Sequence, residues 1–235
     1  MKVFKFGGAS VKDAAGVKNL SSIVHQQQGQ LIVVVSAMGK TTNLLETLCN
    51  AYFHRDSKVP AIMKELKDFH LNIVTSLFPL NAPVYKHLEE LFINLENILA
   101  SESSLCYDYE YDRIICFGEL ISTTIISDYM EMEGIENQFI DIRKFLKTDQ
   151  NYRNANIDLE LSEQLCKEAF DFNTSSTFVT QGFIAGTRTN QTTTLGREGS
   201  DYTAALLANL LNAENVTIWK DVPGVMNADP KEYEK

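Results

Sequence analysis

The chain has 235 residues, of which 44% are hydrophobic and 22% are charged, and its formal net charge is −10. This composition is ordinary for a soluble globular protein that buries a sizeable core. The acidic balance argues against binding to nucleic acid or to an anionic membrane, although a few local cations could still hold a small anion. The longest apolar runs, such as residues 31–35, are too short to cross a bilayer.

Cysteine usage and the N-terminus indicate the compartment. The 4 cysteines lie far apart without a CxxC pair, which excludes the common zinc and redox signatures and favours reduced thiols. The opening segment MKVFKFGG is typical of a strand and a turn rather than of a secretory signal. We therefore expect a cytoplasmic protein, and no set of metal-ligating residues stands out.

The first elements predict an α/β fold. Residues 3–6 alternate as a strand does and run into two glycines, after which an amphipathic helix follows. Residues 31–35 form a β-branched run typical of a strand buried in a parallel sheet. The loop at 36–40 then leads to a second helix, which Thr41 or Thr42 is expected to cap. This βαβα order predicts a largely parallel sheet between two helical layers.

The rest of the chain continues the pattern. A helical insertion is expected between about residues 56 and 109, where it would cover the sheet or form a lid, and another apolar helix includes Ile121 and Ile125. Further strands are predicted at 138–142, 177–186 and 215–220, with a polar turn at 187–194 and an Ala-rich helix that follows Asp201 and extends to Leu211.

A glycine pair ends the first strand, in Lys5-Phe6-Gly7-Gly8, with Ser10 close behind. Glycines let the backbone approach a polyphosphate closely, and their N–H groups near a helix start can bind an anion. A lysine just before them could reach charge on a transferred phosphoryl group. The alternative is an ordinary turn that happens to contain two glycines.

Residues Gly39-Lys40-Thr41-Thr42 resemble the end of a P-loop, GxxxxGK[ST]. That pattern requires glycine at position 34, where this chain has Val34 inside a strand. The P-loop interpretation is therefore rejected. Thr42 still begins a helix at the carboxyl end of the sheet, where small anions bind, unless it serves only as a cap.

Charged residues at two later helix starts are further candidates. Glu119 could hold a substrate ammonium group, or it could simply be a carboxylate that the helix dipole favours at that position. Arg197 offers a fork for a carboxylate. Ser200 and Asp201 begin the Ala-rich helix, where Asp201 either caps the helix or orients catalytic cations. After the last predicted strand, Asp221 and the loop through residue 231 either cradle a nucleotide or form a solvated turn.

Taken in order, these segments resemble aspartate kinases of the amino-acid kinase family. The family patterns are KFGGTS, VVSA…TN, FGE, QGF, TTTLGRGGSD and W-[TK]-D-V-x-G, and this chain matches them at 5–10, 34–43, 117–119, 181–183, 192–201 and 219–224. The resemblance implies an α/β/α sandwich, the amino-acid kinase fold, and transfer of the γ-phosphoryl group of ATP, with Mg²⁺, to the side-chain carboxylate of L-aspartate. That reaction is the first step of the aspartate-family amino acid pathway.

The resemblance also implies a role for each matched residue. Lys5 would stabilise the transferring phosphoryl group, and Asp201 would organise that lysine. Glu119 would hold the substrate ammonium and Arg197 its α-carboxylate. The other implied substrate contacts are Ser36, Thr42 and Ser200, and the other implied nucleotide contacts are Phe6, Gly7, Gly8, Ser10, Lys220, Asp221, Met226 and Lys231.

Three departures from the family pattern accompany the match. Ala9 replaces a threonine, and Glu198 replaces a glycine and adds negative charge near anionic ligands. The family also continues past Lys235 with a second phosphate-contacting lysine and ACT-type regulatory domains, in proteins expected to form homo-oligomers. We therefore expect residues 1–235 alone to be weakly active or inactive.

Two alternatives to aspartate phosphorylation stay open. The first is a kinase of the same fold that acts on glutamate or acetylglutamate, although an acylated amine would not need Glu119. The second is a non-catalytic subunit that binds a nucleotide or an amino acid, against which the presence of both Lys5 and Asp201 argues.

Overall fold

A computed structural model describes residues 1–220 of the chain. The strands are β1 Lys2–Phe6, β2 Leu31–Val35, β3 Gln138–Ile140, β4 Lys147–Thr148, β5 Thr177–Gln181, β6 Ile184–Thr187, β7 Thr192–Thr194 and β8 Asn215–Trp219. The helices are α1 Ala14–His25, α2 Thr41–Phe53, α3 Val59–Leu77, α4 Val84–Ala100, α5 Tyr107–Ile115, α6 Phe117–Met132, α7 Leu159–Ala169 and α8 Gly199–Leu210. Short 3₁₀ helices occupy Gly8–Val11 and Ile142–Lys144.

The larger sheet is parallel and runs in the order β3-β5-β2-β1-β8. All five residues of β2 are buried, as expected for a strand covered on both faces. A smaller sheet, β4-β6-β7, pairs β4 with β6 in parallel and β6 with β7 antiparallel. The predicted α/β fold with a largely parallel sheet is confirmed.

Helices α6 and α8 cover opposite faces of the larger sheet. Lys5 pairs with Val34, whereas Gln181 pairs with Val35, so Lys5 and Gln181 point to opposite faces. The Lys5 side chain contacts Asp201 on α8, and the Gln181 amide donates to Thr123 on α6. The protein is thus a three-layer α/β/α sandwich.

Helices α3 and α4 occupy the segment expected to form a helical insertion. Their apolar faces reach the main core, because Leu66, Val74, Leu88 and Leu95 are all buried. The role of this segment as an insertion or a lid stays a prediction.

Three details differ from the sequence-based expectations. The expected strand at 177–186 is two strands in different sheets, because Phe183 has a left-handed φ of 67° and turns the chain. Part of the expected polar turn, Thr192–Thr194, is β7. Helix α2 is capped by neither threonine: Lys40 is its N-cap, and the hydroxyl of Thr41 donates to the Met38 carbonyl at 2.6 Å.

Helix α7 was not anticipated. Its N-cap Asp158 accepts a hydrogen bond from the Leu161 N–H at 3.2 Å, so an aspartate cap was available as a signal. Among residues 1–220, no helix is long and apolar enough to cross a membrane.

Candidate active site

A cavity of about 260 Å³ opens where β1, β2 and β5 end. The carboxyl ends of parallel strands are the usual ligand site of such sheets. The predicted residues that line this cavity are Lys5, Gly8, Ser36, Thr42, Glu119, Ser200 and Asp201, and they are joined by Ala37, Gly39, Phe183, Gly196, Glu198 and Gly199.

The N-terminal ends of three helices meet at the cavity. Thr42 lies in the first turn of α2, Glu119 in the first turn of α6, and Ser200 in the first turn of α8. Helix N-termini carry partial positive charge and unpaired N–H groups, so they favour anions. The helix ends therefore favour phosphate or carboxylate groups in this cavity.

Asp201 joins two lysines at one side of the cavity. Its Oδ1 lies 2.6 Å from Lys5 Nζ, and its Oδ2 lies 3.0 Å from Lys220 Nζ. Burial raises the pKa of Asp201, but hydrogen bonds from Lys5 and Lys220 outweigh it and hold the pKa below its ordinary value. The carboxylate therefore stays ionised and fixes both ammonium groups.

Glu119 is the second functional group of the cavity, and its side chain is only 3% exposed. Oε1 accepts a hydrogen bond from the Ala37 N–H at 3.1 Å, whereas Oε2 has no hydrogen-bond partner among the described residues. Burial raises the pKa of Glu119 to about 8, against the opposing effects of the Ala37 amide and the Lys5 charge. A buried carboxylate oxygen without a donor is costly, so the site favours a cationic hydrogen-bond donor.

Two glycines permit this packing. A Cβ at Gly8 would lie 2.5 Å from the carbonyl oxygen of Ala37, so only glycine lets the first loop approach the second. A Cβ at Gly118 would lie 2.9 Å from the Ala37 side chain. Glycine at 118 therefore brings the start of α6 close enough for Glu119 to reach the Ala37 amide.

Other predicted residues lie outside the cavity lining. The Phe6 ring is buried and stacks on Trp219, with ring centroids 5.9 Å apart. The Gly7 N–H donates to the Trp219 carbonyl at 3.2 Å, and the Ser10 hydroxyl donates to the same oxygen at 3.4 Å. The Gly7 amide is therefore paired with the backbone, and its contact with a phosphate stays a prediction.

Arg197 is exposed and does not line the cavity, although its neighbours Gly196 and Glu198 do. Glu198 holds a left-handed φ of 56° and lies 4.0 Å from Lys220. Lys220 is the last described residue. The predicted contacts at Asp221, Met226 and Lys231 lie outside the described residues.

Sequence reasoning missed the main-chain role of Ala37. A backbone N–H group leaves no signature in the sequence. Only the position of Ala37, just after the end of β2, could have indicated that its N–H faces the cavity. For metals, no group of three or more His, Cys, Asp or Glu residues within positions 1–220 could hold an ion.

Comparison with known proteins agrees with this geometry. The profile described as the amino acid kinase family matches residues 1–235. The chain belongs to the amino acid kinase family. Within that family it is 34% identical, over 97% of its length, to the lysine-sensitive aspartokinase 3 of Escherichia coli K12.

Two crystal structures of E. coli aspartokinase III also match this family member, each with a TM-score of 0.87 and 30% identity over 98% of the chain. One contains lysine and aspartate, and the other contains aspartate and ADP. The chain spans about half the length of these relatives, 51% of the aspartokinase 3 sequence and 52% and 51% of the two crystallised chains.

Proposed function

We propose that this chain carries the catalytic core of an aspartate kinase, which transfers the γ-phosphoryl group of ATP to the side-chain carboxylate of L-aspartate. The observation that carries the proposal is the buried Oε2 of Glu119, which has no hydrogen-bond partner within residues 1–220 and lies in the same cavity as Lys5. An ammonium group would satisfy that oxygen, and the lysine would attract a phosphate. The ammonium group of an amino acid and the phosphates of a nucleoside triphosphate would supply both partners.

The proposed reaction places little chemical demand on the protein. An oxygen of the substrate side-chain carboxylate attacks the γ-phosphorus, the bond to the β,γ-bridging oxygen breaks, and ADP leaves with the electron pair. No proton has to move, so positioning and charge neutralisation account for catalysis. Lys5, held 2.6 Å from Asp201, would neutralise charge on the transferred group.

Substrate positioning is assigned to other residues of the same cavity. Glu119 would bind the α-ammonium, and the hydroxyl groups of Ser36, Thr42 and Ser200 would line the acceptor pocket. Arg197 would bind the α-carboxylate, which requires its exposed side chain to turn toward the cavity. The aspartate and ADP bound to E. coli aspartokinase III support this choice of substrates.

Mg²⁺ would enter with ATP rather than as a resident cofactor. The described residues offer no carboxylate cluster for a metal, and Asp201 is already neutralised by two lysines. Mg²⁺ commonly retains water and binds through substrate phosphates. The ion is therefore treated as part of the nucleotide substrate.

Trapping of the acyl phosphate by hydroxylamine tests the proposal, because the hydroxamate accumulates even when turnover is slow. Aspartate, glutamate and N-acetylglutamate should be compared with ATP and Mg²⁺, with Lys5→Ala as the inactive control. We expect hydroxamate with aspartate as the acceptor and none with glutamate or N-acetylglutamate. Product from glutamate or N-acetylglutamate alone, or equal product from Lys5→Ala, would contradict the assignment.

A further inference from the structure

A buried carboxylate outside the cavity joins the two sides of the site. Asp112 on α5 is 0% exposed. Its Oδ2 accepts hydrogen bonds from the backbone N–H groups of Arg153 and Thr194, both at 2.9 Å, and its Oδ1 accepts from the Thr194 hydroxyl at 2.7 Å. One side chain thus holds two separate segments of the chain.

The Thr194 contacts and helix α5 both lead toward the cavity. Thr194 ends β7, and the next residues, 195–201, enter α8 and include Gly196, Ser200 and Asp201 of the cavity wall. On the other side, α5 and α6 share Cys116 as their common cap, so α5 leads directly into the helix that carries Glu119. Asp112 therefore links α5, which leads into α6, to Thr194, which leads into α8.

Neighbouring backbone contacts make this connection stiff. The Ala155 N–H donates to the Thr194 carbonyl at 3.0 Å, and the Leu195 N–H donates to the carbonyl of Phe183, another cavity residue, at 2.9 Å. The segment that begins at Thr194 is therefore held from three directions, and Asp112 supplies the only one of these contacts that comes from a side chain.

The energetics of Asp112 do not favour a purely stabilising role. Burial raises the pKa of Asp112 to about 6, even though hydrogen bonds from Arg153 and Thr194 lower it. The ionised group therefore costs the fold more than a well-packed neutral residue would. Costly polar groups of this kind are expected where geometry matters for function.

We propose that Asp112 is a positioning residue that fixes the Thr194–Ser200 segment relative to Glu119 and thereby sets the affinity for the amino-acid acceptor. This inference rests on the proposed function for its substrate, but not for its structural part. Asp112 does not line the cavity, and its effect passes through Thr194.

The test compares Asp112→Ala with Asp112→Asn and with Ile114→Ala, a matched loss of a buried side chain on the same helix. An asparagine oxygen can still accept both N–H bonds while its amide donates to the Thr194 hydroxyl. We expect Asp112→Ala to raise the KM for aspartate at least tenfold and to change the KM for ATP less than threefold. Asp112→Asn and Ile114→Ala should each stay within threefold of wild type for both substrates.

Hydrogen exchange provides a readout that does not depend on activity. Asp112→Ala should accelerate amide exchange at least tenfold at 153–155 and 194–200, whereas Ile114→Ala should leave 194–200 unchanged. If Asp112→Ala does not fold, Thr194→Val, which removes only the 2.7 Å hydroxyl bond, serves in its place. Unchanged exchange at 194–200, or an aspartate KM that rises equally in Ile114→Ala, would overturn the proposal. A wild-type protein that neither phosphorylates an amino acid nor binds aspartate would instead refute the proposed function, while the exchange data still decide whether Asp112 holds the segment.

Discussion

Replacing Glu119 by glutamine removes a buried ionisable group with almost no change in shape. Burial raises the pKa of Glu119 from 4.5 to about 8 in the folded protein. Between those two values the folded state holds a proton that the unfolded state has released. The contribution of Glu119 to stability is therefore complete below pH 4.5, is lost as the pH rises through about 8, and changes little above that.

The structure sets the size of this effect. Each unit of pKa shift corresponds to about 1.4 kcal/mol, so a rise from 4.5 to about 8 gives a ceiling of roughly 5 kcal/mol. Relaxation and water entry lower the cost of a buried charge in real proteins. We expect the free energy of unfolding of wild type, relative to that of Glu119→Gln, to fall by about 2 kcal/mol between pH 5 and pH 9.

Urea unfolding at pH 5, 7 and 9 measures this difference. The matched control is Glu110→Gln, because Glu110 is equally buried but receives hydrogen bonds from the Ser104 N–H at 2.6 Å and from Arg113 at 3.0 Å. The control should be less stable than wild type, since it weakens a satisfied ion pair. Parallel pH profiles for wild type and Glu119→Gln would refute the reasoning.

Three further predictions concern the rest of the site. Gly8→Ala should lower the free energy of unfolding by about 1–3 kcal/mol in thermal unfolding, because its Cβ would lie 2.5 Å from a backbone oxygen. The control Gly7→Ala, whose nearest contact would be 3.6 Å away, should change that free energy by less than about 1 kcal/mol. Equal losses in the two variants would contradict the packing account. Asp201→Asn should lower kcat about 100-fold in steady-state kinetics, because Lys5 loses its anionic partner, and an unchanged kcat would remove Asp201 from the mechanism. Arg197→Ala should leave the melting temperature unchanged, because the side chain is exposed, and should raise the KM for aspartate about tenfold or more; an unchanged KM would exclude the carboxylate role.

The sequence was most informative where a local motif coincides with a strand or helix end. Lys5 could be placed at the end of β1 and Glu119 at the start of α6 from patterning and resemblance alone. Their common cavity could not be derived in the same way, because it depends on strand order: β1 lies between β2 and β8, which are far apart along the chain. Only that order brings Lys5 to Asp201.

Other features had no local signal. The left-handed φ of Phe183 divides what resembles one strand into two strands in different sheets. Nothing in the Phe183 side chain marks that conformation, so the division could not be predicted. The Gly7 amide was expected to face a phosphate, but the parallel pairing of β1 with β8 gives it the Trp219 carbonyl. Asp112 lies among tyrosines and charged residues that resemble an exposed helix face in sequence. Its three hydrogen bonds to Arg153 and Thr194 are visible only in the structure.

Calorimetric titration of L-aspartate at pH 7, in the presence of a non-hydrolysable ATP analogue, tests the central claim that Glu119 receives the substrate ammonium. A carboxyl group with a pKa of about 8 is mostly protonated at pH 7, so it must ionise to bind a cation. Titrations in two buffers with different ionisation enthalpies should therefore show the release of nearly one proton per aspartate bound, and Glu119→Gln should bind far more weakly. Tight binding without proton release, or equal affinity in Glu119→Gln, would contradict the account.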